Sequence, residues 1–201
     1  MKNSTKTALV TVGIIVIVLL GAFSCYTGAY NKMVRMNEDV NAQWAQVENQ
    51  YQRRLDLIPN LVATVKGYAA HESDVLTEVT EARARAGGVL EISDEVLNNP
   101  ESFRRFQEAQ SQLSSSLQRL LAVSENYPEL KANQNFLALQ DQIEGTENRI
   151  ATERNRFNSA VKEYNAYILS FPRSIIAGAR FTKKEYFAAD AAASAAPKVE
   201  F

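Results

Sequence analysis

The sequence has very few of the residues from which most catalytic and metal sites are built. Its 201 residues include one cysteine, Cys25, and one histidine, His71. These two residues are too few for an intramolecular disulfide, a zinc cluster or the paired Glu-x-x-His motifs of a di-iron bundle. A glycine-rich phosphate loop, with its lysine and Ser/Thr, is also missing. The composition therefore predicts a protein that is not an enzyme and has no metal or cofactor.

Glycine and proline are scarce as well, with 8 and 5 residues, which is too few to separate the strands of a large sheet. There is no excess of basic residues, because 22 Lys and Arg face 23 Asp and Glu. Without a basic field, nucleic acid is not an expected partner. The sequence does contain long series of apolar residues at helical spacing, which predict an all-α protein.

One long uncharged run lies near the N-terminus, from Ala8 to Phe23, and the next three residues extend it. A helix needs about 20 residues to cross a bilayer. Residues 8–28 are therefore predicted to form a single-pass transmembrane helix behind a short basic N-terminus, residues 1–7. Two alternatives are a cleaved signal peptide, for which the run is long, and lipidation of Cys25, for which Phe23 is a poor neighbour.

The orientation of this helix is poorly determined by charge. Lys2 and Lys6 lie before it, and Lys32 and Arg35 lie after it. The balance favours only slightly a domain outside the cytoplasm. The expected location is thus a cell membrane, in a bacterial envelope.

Apolar residues at alternating steps of three and four predict a helical bundle over residues 29–171. The preferred division gives an up-and-down antiparallel bundle of four long helices, because similar helix lengths suit antiparallel neighbours. The predicted helices are 29–54, 58–86, 100–127 and 132–171. The second helix is predicted to end at Gly87 and Gly88, and the third to begin with Pro100 behind Asn98 and Asn99. A single kinked helix over 29–86 is the alternative.

The stretch "YQRRLDLIPNLVATVKGY" decides between these two divisions. In the four-helix version it is the corner between the first two helices. Asp56 then caps the second helix, and Pro59 lies in its first turn, where a missing N–H costs nothing. A ligand-binding carboxylate is the competing interpretation of Asp56.

Charged residues interrupt the apolar series at Arg54, Glu72, Glu147 and Arg154. Buried charges are costly unless they are paired, but paired charges can fix helix register. We expect Glu147 to pair with an arginine, either the nearby Arg149 or Arg154, or Arg53 or Arg54 across the bundle. The alternative is that these positions face water.

Beyond Pro172 the sequence mixes basic and aromatic residues, and it ends in an alanine-rich stretch. Residues 172–187 are predicted to lie on a membrane surface or to dock on the bundle or on a neighbouring subunit. Residues 188–201 have low complexity and are predicted to be disordered.

Several motifs in a fixed order resemble one known family. They are "AYN" at 29–31, "RRLDLIPNLVATVKGY" at 53–68, "HE" at 71–72, "AR" at 82–83, "ENRI" at 147–150, "YN" at 164–165 and "FP" at 171–172. In this order they are similar to the LemA family, from the membrane segment to about Phe187. The resemblance implies an up-and-down helical bundle, and it brings no catalytic residue with it.

These observations predict a membrane-anchored helical bundle that acts as a scaffold. Its expected partners are copies of itself and other membrane or envelope proteins. The alternative is a protein that binds or shapes the membrane through the bundle and its basic and aromatic C-terminal segment.

Overall fold

The structure, a computed structural model, describes residues 2–90 and 93–187; of residues 2–8 and 93–95 it describes the backbone only. Seven α-helices and one 3-10 turn, and no strand, occur in these ranges, so the predicted all-α helical bundle is confirmed. The helices are α1 (Lys2–Tyr68), α2 (Ser73–Leu90), α3 (Ser93–Asn98), α4 (Pro100–Val123), α5 (Pro128–Lys131), α6 (Gln134–Leu169) and α7 (Arg173–Ala177). The predicted tail, 188–201, lies outside the described residues.

The predicted corner at residues 55–57 is wrong, because α1 continues through it and contains Pro59. The spacing of the apolar residues explains why α1 continues as one helix. Leu55, Ile58 and Leu61 are all buried, so the buried face of α1 passes Pro59 without changing direction. Pro59 itself is exposed, and its ring therefore does not disturb the core.

The chain instead turns between α1 and α2, over Ala69–Glu72. The single helix over 29–86 is therefore wrong as well. Ala69 is fully buried, and its N–H donates to the Val65 carbonyl at 2.8 Å. The predicted helix end at Gly87 and Gly88 is also wrong, since α2 includes both residues and runs to Leu90.

The start of α4 agrees with the prediction. Asn99 is the N-cap, and its side-chain oxygen accepts hydrogen bonds from the N–H groups of Glu101 at 2.9 Å and Ser102 at 3.4 Å. Pro100 follows as the first helical residue, where its missing N–H removes no intrahelical bond. The helix presents one apolar face that includes Phe103, Phe106, Leu113, Leu117 and Leu120.

In α6, Phe136, Ile143, Ile150, Phe157 and Tyr164 recur at every seventh position, and none of them is more than 3% exposed. The predicted end of this helix at residue 171 is wrong, because α6 ends at Leu169 and Phe171 is 82% exposed.

The chain divides into two compact units. Unit 1 contains the residues up to Asn41 with Lys162–Lys183, and unit 2 contains Ala42–Val161 with the residues from Lys184 onward. Unit 2 holds an aliphatic core to which α1, α2, α4 and α6 all contribute, including Leu61, Val79, Leu113 and Ile143.

The N-terminal part of α1 has the length and hydropathy to cross a membrane. The large aliphatic side chains from Leu9 to Leu20 are 48–70% exposed, so no other described part of the chain covers them. Outward-facing apolar side chains on every side of a helix are typical of contact with lipid.

Candidate functional site

The buried polar cluster of unit 2 is centred on Arg54, which takes an inward position of α1 between Tyr51 and Ile58. Its side chain is 1% exposed. Nη1 donates to the Glu147 carboxylate at 2.6 Å and to the Ser114 hydroxyl at 2.8 Å. Nη2 donates to the side-chain oxygen of Gln110 at 2.5 Å. Three helices, α1, α4 and α6, thus meet around one guanidinium.

The Arg54 guanidinium is almost fully satisfied, as a buried charge requires. Gln110, which is 4% exposed, also donates to the Ala86 carbonyl of α2 at 3.4 Å. Glu147 is different, because its side chain is 37% exposed and forms the outer edge of the cluster. One polar atom is unsatisfied: Arg54 Nε is buried and has no hydrogen-bond partner in the structure.

Of the four arginines that the sequence offered for Glu147, Arg54 forms the ion pair. Arg53 and Arg149 are exposed. Arg154 is half-buried, and its guanidinium lies 4.7 Å from the centre of the Phe187 ring. A cation over an aromatic face is attracted by the ring quadrupole.

The remaining predicted residues lie apart from this cluster. Asp56 is exposed in the middle of α1 and accepts a hydrogen bond from Gln52 Nε2 at 2.7 Å, so its predicted role as an N-cap is wrong. Glu72 lies in the turn before α2, not on a helix seam, and accepts a hydrogen bond from the Tyr127 hydroxyl at 3.1 Å. This hydrogen bond raises the pKa of Tyr127, because it favours the protonated phenol.

Arg83 is a structural residue that the helix pattern did not indicate. A proline cannot donate to the carbonyl four residues earlier, so Pro59 leaves the Leu55 carbonyl without its helical partner. Arg83 Nε of α2 donates to that carbonyl at 2.9 Å. The motif "AR" at 82–83 was the one signal that could have drawn attention to it.

An aromatic cluster lies beside the polar one in unit 2. The Trp44 ring centre is 5.2 Å from that of Phe106, 5.4 Å from that of Phe157 and 5.9 Å from that of Phe187. The backbone N–H and carbonyl of Phe187 both bond the Asn158 side chain, at 2.9 and 3.0 Å. The C-terminal segment was predicted either to lie on a membrane surface or to dock on protein. Its last part, Lys184–Phe187, therefore docks on the helices of unit 2.

Unit 1 has its own cluster of aromatic and basic residues at the end of the apolar segment of α1. The Tyr30 ring is 5.4 Å from the Phe181 ring, and the Arg180 guanidinium lies 5.6 Å from the Tyr30 ring centre. Arg173 and Lys32 lie 4.3 and 4.8 Å from the ring centre of Tyr167.

Within the described residues no group of three or more His, Cys, Asp or Glu side chains is placed to hold a metal ion. His71 is exposed in the turn before α2, and Cys25 is exposed on α1. The hydrogen bonds of Arg54 join α1 to both α4 and α6 through one cation.

Comparison with known proteins finds related sequences. Two curated relatives are Magnetosome protein MamQ 2 of Paramagnetospirillum magneticum, 29% identical, and Magnetosome protein MamQ of Magnetospirillum gryphiswaldense, 28% identical; each match covers 79% of this chain. A third, Protein LemA of Metamycoplasma hominis, is 22% identical over 76% of the chain. The chain spans only about 64% of the length of the MamQ relatives.

The sequence profile of the LemA family matches residues 43–201, which contain the Arg54 cluster and the aromatic cluster. With an all-α bundle and the motifs in their expected order, the chain belongs to the LemA family.

Proposed function

We propose that this protein is a non-enzymatic scaffold, anchored in a membrane by α1, and that its copies associate through the membrane-spanning part of that helix. The observation that carries the proposal is the uncovered surface of the span. Apart from the chain neighbours and the nearby backbone of the same helix, no described atom lies within 4 Å of the point where a side chain on Gly21 or Gly28 would begin.

Three small residues of the span, Gly21, Cys25 and Gly28, share one face. At about 100° per residue, Gly21, Cys25 and Gly28 lie within about 60° of one another around the helix axis. Helices associate in membranes where small residues let their backbones approach closely, because lipid removes the hydrophobic drive for association. This face is therefore the expected contact between copies, and other membrane or envelope proteins with a similar face are further candidate partners.

Cys25 makes the proposal testable in the natural sequence, because it is the only cysteine and it is exposed. Full-length protein in mild detergent is oxidised with copper phenanthroline and run on a non-reducing gel. We expect a disulfide-linked dimer. Gly21→Leu should reduce it several-fold, because the added side chain separates the two helices.

The matched control moves the thiol to the opposite side of the helix. The variant Cys25→Ser with Leu19→Cys places it about 160° from Gly21. Leu19 is 62% exposed, so its replacement does not disturb a core. Equal crosslinking from the two positions would mean random collision and would refute the proposed contact.

A second candidate function, direct action on lipid, is favoured by a different surface. Leu169, Phe171 and Ile175 of unit 1 are 60%, 82% and 73% exposed, and the cationic Arg173 lies among them. Adjacent apolar and basic side chains of this kind suit the boundary between acyl chains and anionic headgroups.

The position of this surface within unit 1 supports the lipid candidate. Tyr30 lies two residues beyond the predicted span and contacts both Phe181 and Arg180. Tyrosines are enriched at the level of the headgroups. The segment around α7 is therefore expected at the height where α1 leaves the bilayer, with Phe171 and Ile175 inserted into its interface.

Tryptophan fluorescence in vesicles separates the two candidates. Phe171→Trp is compared with Leu137→Trp, which replaces an exposed leucine of unit 2, after the signal of the single natural Trp44 is subtracted. Insertion predicts a blue shift for position 171 that brominated lipid quenches, and no quenching at position 137. A blue shift without quenching would indicate burial against protein instead.

A further inference from the structure

The last described segment of unit 2 is short and is not helical. Unit 2 consists of Ala42–Val161 and of the chain from Lys184 onward, so residues 162–183 of unit 1 separate this segment from the helices on which it docks. Residues 184–187 form neither helix nor strand. They therefore contact the helices of unit 2 as a bound peptide would.

Phe187 is the main anchor of the segment. It is 5% exposed, and its ring centre lies 5.1 Å from that of Phe103, 5.5 Å from that of Phe157 and 5.9 Å from that of Trp44. The Asn158 side chain bonds both the N–H and the carbonyl of Phe187. We call this aromatic pocket and its asparagine the Phe187 slot. Hydrogen bonds to the backbone combined with a pocket for one side chain are a common way to recognise an extended peptide.

Lys184 is the second anchor, three residues earlier. It is only 6% exposed, and its Nζ donates to the side-chain oxygen of Asn98, at the end of α3, at 2.6 Å. Burial lowers the pKa of Lys184, because the loss of water disfavours the charged form. The two residues between the anchors, Glu185 and Tyr186, are less buried. The segment is therefore held by a Lys-x-x-Phe pattern.

The sequence contains this pattern a second time. Residues 184–187 read "KEYF" and residues 198–201 read "KVEF", with a mainly alanine connector between them. No other lysine of the sequence has a phenylalanine three residues after it. Residues 198–201 lie outside the described residues, but they offer the same two side chains at the same spacing.

We propose that the Phe187 slot, together with Asn98, is a binding site for Lys-x-x-Phe peptides, and that residues 198–201 compete with residues 184–187 for it within one chain. Phe201 takes the place of Phe187 among the rings, and Lys198 takes the place of Lys184 at Asn98. The ten residues of the connector, 188–197, can span about 33 Å when extended, so they do not hold the second segment away from a slot that the first has left.

The proposal does not depend on self-association or on lipid binding, because Asn98 and the residues of the slot all belong to unit 2.

Trp44 reports on the slot, because it is the only tryptophan and contributes one of the rings. Its emission and the Tm are measured on the full-length protein in detergent. While Phe187 is present, we expect Phe201→Ala to change both very little. In the Phe187→Ala background, where residues 198–201 fill the slot, Phe201→Ala should shift the emission to the red and lower Tm. Equal effects of Phe201→Ala in the two backgrounds would overturn the proposal.

Phe171→Ala is the matched control, because Phe171 is an exposed phenylalanine of unit 1. It should leave the emission of Trp44 unchanged in both backgrounds. If Phe187→Ala does not fold, Phe187→Leu replaces it. Leucine fills an aromatic pocket less well than a ring does, so Phe201→Ala should again have the larger effect in that background.

The lysine of the pattern has its own test. In the Phe187→Ala background, Lys198→Ala should also shift the emission of Trp44 to the red, because it removes the side chain that bonds Asn98. Lys183→Ala is the control, since Lys183 is exposed beside the first segment. Equal effects of the two lysine variants would refute a Lys-x-x-Phe site.

Photocrosslinking locates the bound segment directly. The photoreactive residue p-benzoylphenylalanine replaces Phe201, and the products of irradiation are mapped by proteolysis and mass spectrometry. We expect crosslinks to peptides that contain Trp44, Phe103 or Phe157, with a yield that rises several-fold in the Phe187→Ala variant. A yield that does not depend on Phe187 would rule out competition for one slot. Crosslinks mainly between copies, seen as a dimer on a denaturing gel, would contradict exchange within one chain.

Discussion

The aromatic cluster around Trp44 and the polar cluster around Arg54 both connect helices α1, α4 and α6. The first does so through ring contacts and the second through hydrogen bonds. Trp44 and Arg54 are ten residues apart on α1, about 15 Å along its axis. Around Trp44, rings from α4 and α6 pack at 5.2–6.0 Å between centres. Around Arg54, one cation bonds Gln110, Ser114 and Glu147.

The difference separates two tasks that a helical bundle must perform. Burial of aromatic rings stabilises the fold wherever the rings exclude water, and this stabilisation tolerates small shifts of neighbouring helices. A buried guanidinium stabilises the fold only where its acceptors lie at hydrogen-bond distance, because burying the charge without partners is costly. We infer that the aromatic cluster mainly contributes stability, in addition to the aliphatic core, and that the Arg54 cluster mainly fixes the register of the three helices.

The largest effect is expected from Phe106→Ala, which removes a fully buried ring that contacts Trp44 and Tyr51. The free energy of unfolding should fall by about 3–5 kcal/mol, as measured by urea denaturation in detergent. Phe171→Ala is the control, because Phe171 is 82% exposed and its loss should change stability by less than about 0.5 kcal/mol. A loss below about 1 kcal/mol at Phe106 would remove the stabilising role of the aromatic cluster.

In the polar cluster we expect energetic coupling between Glu147 and Arg54 rather than a large loss of stability from one substitution. Glu147→Ala should cost about 2 kcal/mol, less than for a fully buried pair because Glu147 is 37% exposed. In an Arg54→Met background the same change should cost almost nothing, since no cation is left unpaired. A double-mutant cycle measures the difference, and additive losses would show that the pair contributes nothing.

Arg83 extends the comparison to a polar contact with the backbone. Arg83→Ala should cost about 1–2 kcal/mol, because it leaves the buried Leu55 carbonyl without a donor. In a Pro59→Ala background the restored N–H can serve that carbonyl, so the loss should shrink below about 0.5 kcal/mol. Arg85→Ala is the control, since Arg85 is exposed and its ion pair with Glu81 is long, 3.6 Å. An equal loss in both backgrounds would rule out this role for Arg83.

The smallest effect is expected at the surface, from Glu101 in the first turn of α4. Hydrogen bonds from Arg104, and less from Arg105, lower the pKa of Glu101 below its ordinary value. Its stabilising effect is therefore complete above the ordinary pKa and is lost as the pH falls through the lowered one.

Thermal unfolding measured across the acid range should show this loss. In the Glu101→Gln variant, Tm should fall slightly less steeply as the pH is lowered. Glu81→Gln, which removes an exposed carboxylate from α2, serves as the control. A steeper fall in the Glu101 variant would reverse the sign of the expected linkage and contradict the lowered pKa.

The helical pattern was sufficient to predict the all-α fold, the start of α4 at Pro100 and the long helix near the end of the bundle, because these features follow from local spacing. It placed the first corner wrongly because Asp56 and Pro59 have the chemistry of a helix start. The donor from Arg83, which lets α1 continue, is distant in sequence. The true turn at Ala69–Glu72 includes two alanines, which favour helix, so local propensity did not predict it.

The Arg54 cluster was only partly predictable for the same reason. The heptad phase placed Arg54, Glu147 and Arg154 near the seam, but phase alone could not choose among four arginines for one glutamate. Gln110 and Ser114 were not predicted as members, because glutamine and serine are ordinary residues on an exposed helix. Their role follows from the three-dimensional approach of α4 to Arg54.

The bond from Arg83 to the Leu55 carbonyl also has a consequence for local opening. Arg83 of α2 donates the hydrogen bond that the Leu55 carbonyl of α1 would otherwise lack. This carbonyl therefore has its donor only while α2 is docked on α1. If α2 detaches, Pro59 becomes a weak joint where α1 can bend. Amide exchange next to Pro59 should therefore follow the undocking of α2 rather than fraying from an end of α1.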